Sequence, residues 1–239
     1  MVNIFKKLLD MMFPKHTTCI ICNAELNHSN DNEICESCQQ DLPFSNGKTC
    51  ERCGMSISSM ARVCNRCKNR EKTFKFAMSP FNYEDTIIKI VHGLKYKNQK
   101  YVVPTMAYYM AECYKQHNAK CDLIIPVPIH ESRRKQRGYN QSELIANDLK
   151  DKINLPLLCD VLVKNKETKA QVSLNYKERQ ENLKEAFKVV DKKMIKNKIV
   201  LLVDDVFTTG ATAAVCTKQL LKAGAKEVIV LCFAHTVIE

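Results

Sequence analysis

Two adjacent carboxylates, Asp204 and Asp205, are followed at once by Val206, Phe207, Thr208, Thr209, Gly210, Ala211 and Thr212. Each carboxylate oxygen accepts one hydroxyl proton, so neighbouring acids match two vicinal hydroxyls of a ribose, and an acid pair also helps to hold Mg²⁺ through water. Threonines around a glycine at the start of a helix bring hydroxyls and free backbone amides to one point, where a phosphate binds. Together the two groups read as a sugar phosphate site. The plainer alternative is a strand, a turn and a capped helix, but paired acids at the end of a buried strand are costly to desolvate without a ligand.

This segment resembles the phosphoribosyl-pyrophosphate (PRPP) loop of type I phosphoribosyltransferases, in which apolar residues, two acids and a Thr-Thr-Gly-x-Thr turn follow one another. The resemblance implies that Asp204 and Asp205 bind the ribose hydroxyls as the catalytic acids. It implies that Thr208 through Thr212 bind the 5′-phosphate, that Val206 and Phe207 belong to the same PRPP-binding run, and that Mg²⁺ arrives with PRPP. One common form of the turn has glycine where this chain has Ala211, whose small methyl still permits close phosphate approach.

A second cluster follows Pro126-Val127-Pro128-Ile129-His130, where Arg133, Arg134, Lys135 and Arg137 fall within five residues. A solvated basic loop is the bland reading. Beside a phosphate loop, the cluster makes better sense as a clamp on pyrophosphate, because guanidinium groups neutralise charge that grows as the leaving group departs. Val127, Pro128, Ile129, His130, Arg133 and Arg137 are therefore the expected pyrophosphate loop. As a catalytic acid or base, His130 needs an acceptor within hydrogen-bond reach. None is identifiable, so a loop-shaping or phosphate-contacting role is favoured. Lys95 follows an apolar helical stretch and either ends a solvated helix or reaches the pyrophosphate.

The cysteines form a third constellation. Four Cys-x-x-Cys pairs, Cys19 with Cys22, Cys35 with Cys38, Cys50 with Cys53 and Cys64 with Cys67, are separated by 12, 11 and 10 residues. Each pair sets two thiolates on one tight turn at tetrahedral zinc geometry. The intervening sequence is polar and has little apolar surface to bury, so metal must supply the missing free energy, on the order of 10 kcal/mol per site. Adjacency favours two successive Cys₄ zinc ribbons, and a cross-braced pairing of the first pair with the third stays open. A redox-active thiol set is the competing reading, but such a motif belongs once at a strand-to-helix junction rather than four times in polar loops. Cys113, Cys121, Cys159, Cys216 and Cys232 lie in apolar surroundings and read as core fillers.

A chain of 239 residues has room for one substantial domain and a small one, and its formal charge is +11. Eight metal-bound thiolates and two Zn²⁺ reduce that charge to about +7. A polyanionic ligand accounts for part of the remainder, and nucleic acid or an acidic partner for the rest. No segment approaches the roughly 18–20 apolar residues of a membrane span. The first 13 residues are amphipathic but interrupted by Asp10, without a small-residue cleavage site, which favours a short docking helix over a signal peptide. Nothing else directs export, so the cytoplasm is the expected compartment and the thiols are expected to be reduced or metal-bound.

These groups need a scaffold. Residues 199–203, Ile-Val-Leu-Leu-Val, read as a buried parallel strand with the acids at its carboxyl end, where open α/β sheets bind ligands. The pattern predicts helices over 85–96, 102–114, 143–152, 176–185 and 211–223, and strands over 122–128 and 227–234. Alternating strands and helices give an α/β fold with a mostly parallel sheet flanked by helices. The expected organisation is an amphipathic helix at 1–13, a double zinc ribbon at 14–72, and the α/β domain at 73–239.

Phe81-x-Tyr83, Leu94-Lys95-Tyr96, Pro126 to His130, Arg137-Gly-Tyr-Asn-Gln141, Gln171-x-x-Leu174 and Arg179-x-x-Asn182 precede the acid pair in the order seen in ComF-type competence proteins. The chain thus resembles that family over nearly its whole length. The family implies a double zinc ribbon before a phosphoribosyltransferase-like domain, and a role in natural transformation and DNA uptake. Its implied partners are single-stranded DNA, a ComF-type helicase and DNA-processing proteins. Residues 164–179 would form a flap over the site, and a hood around 74–101 would choose the acceptor. Transfer of a phosphoribosyl group with release of pyrophosphate is the first expectation. A non-catalytic, PRPP-sensing adaptor is the alternative, since fold does not fix function.

Overall fold

The computed structural model describes residues 18–26, 32–45, 47–57, 61–168, 183 and 185–236. The helix expected over 1–13, the motifs at 171–174 and 179–182, and nearly all of the helix expected over 176–185 lie outside these residues. By packing, the chain divides into two units, Met1–Leu42 and Pro43–Glu239.

In the first unit, Thr18 and Glu25 form an antiparallel bridge, and the Cys19 amide donates to Ala24 O at 2.7 Å. Asn23 turns the chain at φ +61°, a conformation that asparagine tolerates. A short helix, α1 (Glu36–Gln40), follows Cys35. Ile34 and Leu42 are buried, and Asn32 braces them by accepting from the Ile34 amide (3.2 Å) and donating to Gln39 (3.1 Å). Among the described residues of this unit the buried apolar surface is small, so a metal bound by its cysteines would add to its stability.

The second unit carries helices α2 (Asn65–Lys68), α3 (Asp85–Tyr96), α4 (Val103–Gln116), α5 (Glu131–Arg137), α6 (Gln141–Ile153) and α7 (Ala211–Lys222). Strands β1 (Ala77–Met78), β2 (Phe81–Asn82), β3 (Leu123–Pro126), β6 (Ile199–Phe207) and β7 (Glu227–His235) form its sheet. The order is β1-β7-β6-β3, β2 also pairs with β7, and every pairing is parallel. Strands β4 (Leu162–Lys164) and β5 (Phe187–Val189) form a separate antiparallel pair. Val200, Leu201, Leu202 and Val203 of β6 are completely buried, as a central strand covered on both faces requires. Each such side chain contributes about 1.5–3 kcal/mol of burial free energy.

Helix α3 occupies the residues that the pattern predicts, with Ile87, Ile90, Val91 and Leu94 on its buried face. Helix α4 has Pro104 in its first turn, where a missing amide donor costs nothing. Helix α6 starts two residues earlier than expected because Asn140 caps it, accepting from the Ser142 amide at 3.1 Å. Strands β1 and β2 have no counterpart in the sequence reading. Ser79 and Pro80 separate them, and each is too short for an alternation to show.

The second cysteine set lies in the same unit as the sheet, whereas cysteine density suggests a boundary near residue 72. Backbone pairing is the physical reason. The Ala77 amide of β1 donates to Arg52 O at 2.8 Å, and Gly54, at φ +71°, approaches so closely that a Cβ there would meet Ala77 O at 2.5 Å. Cys50, Cys53, Cys64 and Cys67 share one apolar cluster with Ala77, Phe207 and Val230. Among the described residues, no helix is long and apolar enough to cross a membrane.

Candidate functional site

Strand β6 continues to Phe207, so the two acids stand on its carboxyl-terminal half rather than beyond its end. Successive strand residues turn to opposite faces. Asp204 accordingly meets α6, where its Oδ1 accepts from Ser142 Oγ at 2.9 Å, and Asp205 meets α3, where its Oδ2 lies 2.9 Å from Lys95 Nζ. Burial raises the Asp204 carboxyl to about 7, the neighbouring Asp205 charge adds to the rise, and Lys95 and Ser142 oppose it. Burial alone would lower the Lys95 ammonium, but the Asp205 charge and hydrogen bond outweigh it and leave the group above its ordinary value. Lys95 also lines the cleft that holds both acids, and there it is the counter-ion of Asp205.

Residues 208–210 then turn the chain into α7. Gly210 caps the helix at φ +77°, and a Cβ there would lie 2.6 Å from the Phe207 ring, so only glycine fits. Thr209 Oγ1 accepts from the Ala211 amide at 3.4 Å. Asp204, Asp205, Val206, Thr208 and Thr212 line a cleft of about 810 Å³. Phe207, Thr209 and Gly210 instead border a much smaller cavity, about 30 Å³, between the turn at 208–210 and the second cysteine set. Ala211 is buried.

The expected cationic loop is a helix, α5. His130 caps its start by accepting from the Ser132 amide at 3.2 Å, and Gly138 closes it in the left-handed region at φ +84°. A cap of this kind shapes the chain locally, which is one of the two roles expected of His130. Helical spacing divides the basic residues. Arg133 and Arg137 reach the cleft with Val127, Pro128 and Ile129. Arg134 turns to Glu143 at 3.0 Å, and Lys135 lies 3.8 Å from Glu131. His130 does not line the cleft.

The residues around Gly138 act as a brace. The Tyr139 hydroxyl donates to Leu94 O, Asn140 Nδ2 donates to Val127 O at 3.0 Å, and Arg137 donates to Gln141 Oε1. These bonds fix the chain after β3 against both α3 and α6. Tyr83, Lys95, Tyr96, Lys164 and Phe187 also line the cleft; Lys164 opens the expected flap, and Phe187 falls in no motif. Burial, with Arg133 nearby, lowers Lys164 to about 8. Of the expected flap, Lys164 to Thr168 are described, with Lys164 Nζ donating to Thr168 Oγ1 at 2.8 Å, and residues 169–179 lie outside the described residues. Ser142 was also unmarked in sequence, because a serine in the first turn of a helix is ordinary.

The eight paired cysteines group by adjacency. Cys19, Cys22, Cys35 and Cys38 form one set and Cys50, Cys53, Cys64 and Cys67 the other, with the sulfurs of each set within 4.8 Å of one another. Zinc bound tetrahedrally at about 2.3 Å from sulfur requires sulfurs about 3.8 Å apart. Cys22 and Cys35 are separated by 3.7 Å, and Cys53 and Cys64 by 3.8 Å. The Cys64 amide also donates to Cys50 Sγ at 3.3 Å, as suits a thiolate ligand. Both sets fit structural Zn²⁺ with no open position. Of the remaining cysteines, Cys113, Cys216 and Cys232 are buried, while Cys121 and Cys159 are partly exposed.

Residues 8–68 match the double zinc ribbon domain family, and residues 139–236 match the phosphoribosyl transferase domain family. Competence protein F of Haemophilus influenzae is 32% identical over 219 residues, covering 88% of this chain and 93% of that protein. DNA utilization protein YhgH of Escherichia coli K12 is 25% identical over 208 residues, covering 85% and 90%. Competence protein ComFC of Bacillus subtilis is 22% identical over 225 residues, covering 86% and 89%. A double zinc ribbon, a phosphoribosyltransferase-like α/β unit and similarity over most of its length agree: the chain belongs to the ComF family of competence proteins.

Proposed function

We propose that the protein binds PRPP with Mg²⁺ in the cleft, transfers the phosphoribosyl group to an acceptor with release of pyrophosphate, and serves DNA uptake. One observation carries this reading: Asp204, Asp205, Thr208 and Thr212 face the same cleft as Arg133, Arg137 and Lys164. The first four suit a ribose 5-phosphate, and the three cations suit a pyrophosphate.

In the reaction, the bond from the anomeric carbon to pyrophosphate oxygen breaks, its electron pair leaves with pyrophosphate, and positive charge develops on the ribose ring. An acceptor lone pair closes the new bond, and the acceptor releases a proton. The protein contributes position and charge. Asp204 and Asp205, which line the cleft, would accept the ribose hydroxyls, and both are of the ligand type that holds Mg²⁺ through water. The cations oppose the growing charge of the leaving group. Calorimetry with Mg²⁺ and PRPP tests the binding: wild type binds, and Asp204→Asn with Asp205→Asn does not. Undiminished binding by that variant would sink the assignment.

A second reading, a PRPP-binding adaptor for single-stranded DNA and a competence helicase, is favoured by the formal charge of +11 and by relatives whose names concern competence and DNA utilization. Pyrophosphate release separates the two. No release across nucleobases, nucleosides and single-stranded DNA, together with strongly salt-dependent DNA binding, selects the adaptor.

A further inference from the structure

The second cysteine set is joined to the phosphate loop through two arginines. Arg66 lies between Cys64 and Cys67 on α2, and its Nη2 donates to Thr208 O at 3.3 Å. Arg70 follows three residues after Cys67, and its Nη1 donates to Thr209 O at 2.7 Å. Thr236 Oγ1 gives Thr208 O a further donor at 3.2 Å. Arg52 holds the turn that carries both arginines, donating to Cys67 O and, at 3.1 Å, to Arg70 O. Glu71 then bonds Lys218 of α7 at 2.6 Å, so the segment grips both the loop and the helix behind it.

The geometry of the peptide unit gives these contacts a consequence. In a trans peptide the carbonyl and the following amide point in opposite directions. Holding the Thr208 and Thr209 carbonyls on the ribbon side turns the Thr209 and Gly210 amides away from it. Thr208 and Thr212 line the cleft on that other side. Two guanidinium charges behind the loop also favour an anion in front of it.

We propose that Arg66 and Arg70 are positioning residues for the 5′-phosphate, and that the Cys50, Cys53, Cys64 and Cys67 metal centre is thereby a structural part of the ligand site. This rests on reading residues 208–212 as the phosphate loop. Metal lost from this centre releases α2, and with it both carbonyl contacts.

The test compares the full chain with Arg66→Ala plus Arg70→Ala, with the milder Arg70→Lys, and with Cys64→Ser plus Cys67→Ser. Three properties are measured: zinc content, affinity for ribose 5-phosphate and for pyrophosphate, and amide order at residues 208–212 by heteronuclear NOE. For the double arginine variant, ribose 5-phosphate affinity falls about 10- to 100-fold while pyrophosphate affinity changes by less than about 2-fold. Amide order falls at the loop and holds in β6 and β7, with zinc content unchanged. Arg70→Lys falls between, and the cysteine variant loses one zinc and reproduces the loop defect. Unchanged loop order with unchanged ribose 5-phosphate affinity overturns the proposal. Equal loss of both ligands also overturns it, since that marks general collapse. A wild type that ignores ribose 5-phosphate defeats the phosphate reading, and the loop order still decides whether the arginines position the loop.

Discussion

Lys95 Nζ lies 2.9 Å from Asp205 Oδ2, and the two side chains are only 21% and 5% exposed. This ion pair joins the end of α3 to the strand that carries the acids. It places a positive charge beside the two acids and so opposes the rise of the Asp204 carboxyl.

Lys95→Met keeps the aliphatic stem and removes the charge. Taking away one partner of a buried pair leaves the other uncompensated, at a cost of about 3 kcal/mol. Urea unfolding at neutral pH should show that loss with little change in slope. A loss below about 1 kcal/mol would mean that the pair is solvated like an ordinary surface contact.

Asp204 gives stability a defined pH dependence. Its carboxyl keeps a proton up to about pH 7 in the folded chain, whereas an unfolded aspartate ionises near about 3.9. Between those values the folded chain holds more protons, so this group's contribution is complete below about pH 4 and is lost as pH rises through about 7. Asp204→Asn should therefore be more stable than wild type at pH 8, with the gap closing toward pH 5. Melting curves at both values check the sign, and an equal gap at each refutes it.

Gly210→Ala tests the turn. At φ +77° an added Cβ would lie 2.6 Å from the Phe207 ring, and the left-handed conformation itself costs about 1–2 kcal/mol for alanine. Phe207 packs edge-on against Phe74 with centroids 5.9 Å apart, so displacing it disturbs that contact as well. The melting temperature and PRPP affinity should both fall. A variant that binds PRPP as wild type does would show that the loop tolerates a different path.

The two metal centres should differ in effect. Cys19→Ser with Cys22→Ser removes ligands within Met1–Leu42, whereas Cys50→Ser with Cys53→Ser removes them from the cluster that includes Phe207 and Val230. Each variant should retain about one zinc by elemental analysis. The second should lower the main unfolding transition by several degrees and the first should leave it in place. Equal shifts would contradict the division into two units.

Much of the site is legible in local sequence. The acid pair, the threonine turn and the Cys-x-x-Cys repeats are contiguous, and their chemistry depends on spacing along the chain. Helix α3 is legible for the same reason, since its apolar face repeats every three or four residues. The helix at residues 131–137 was not, because a run of charged residues has no apolar period, and its cap rests on the bond from His130 to the Ser132 amide. Strands β1 and β2 were hidden by their length of two residues.

The sequence by itself determined the chemical groups: two acids, a hydroxyl-rich turn, two sets of thiolates and an alternation that builds a parallel sheet. Only the tertiary structure decided their partners. Ser142 reaches Asp204 across 62 residues, Arg66 reaches Thr208 across 142, and Arg70 reaches Thr209 across 139. Local spacing encodes periodicity and turn chemistry. Which distant side chain meets an acid or a carbonyl depends on strand order and on the docking of Arg52 against Ala77, and these exist only once the sheet has formed.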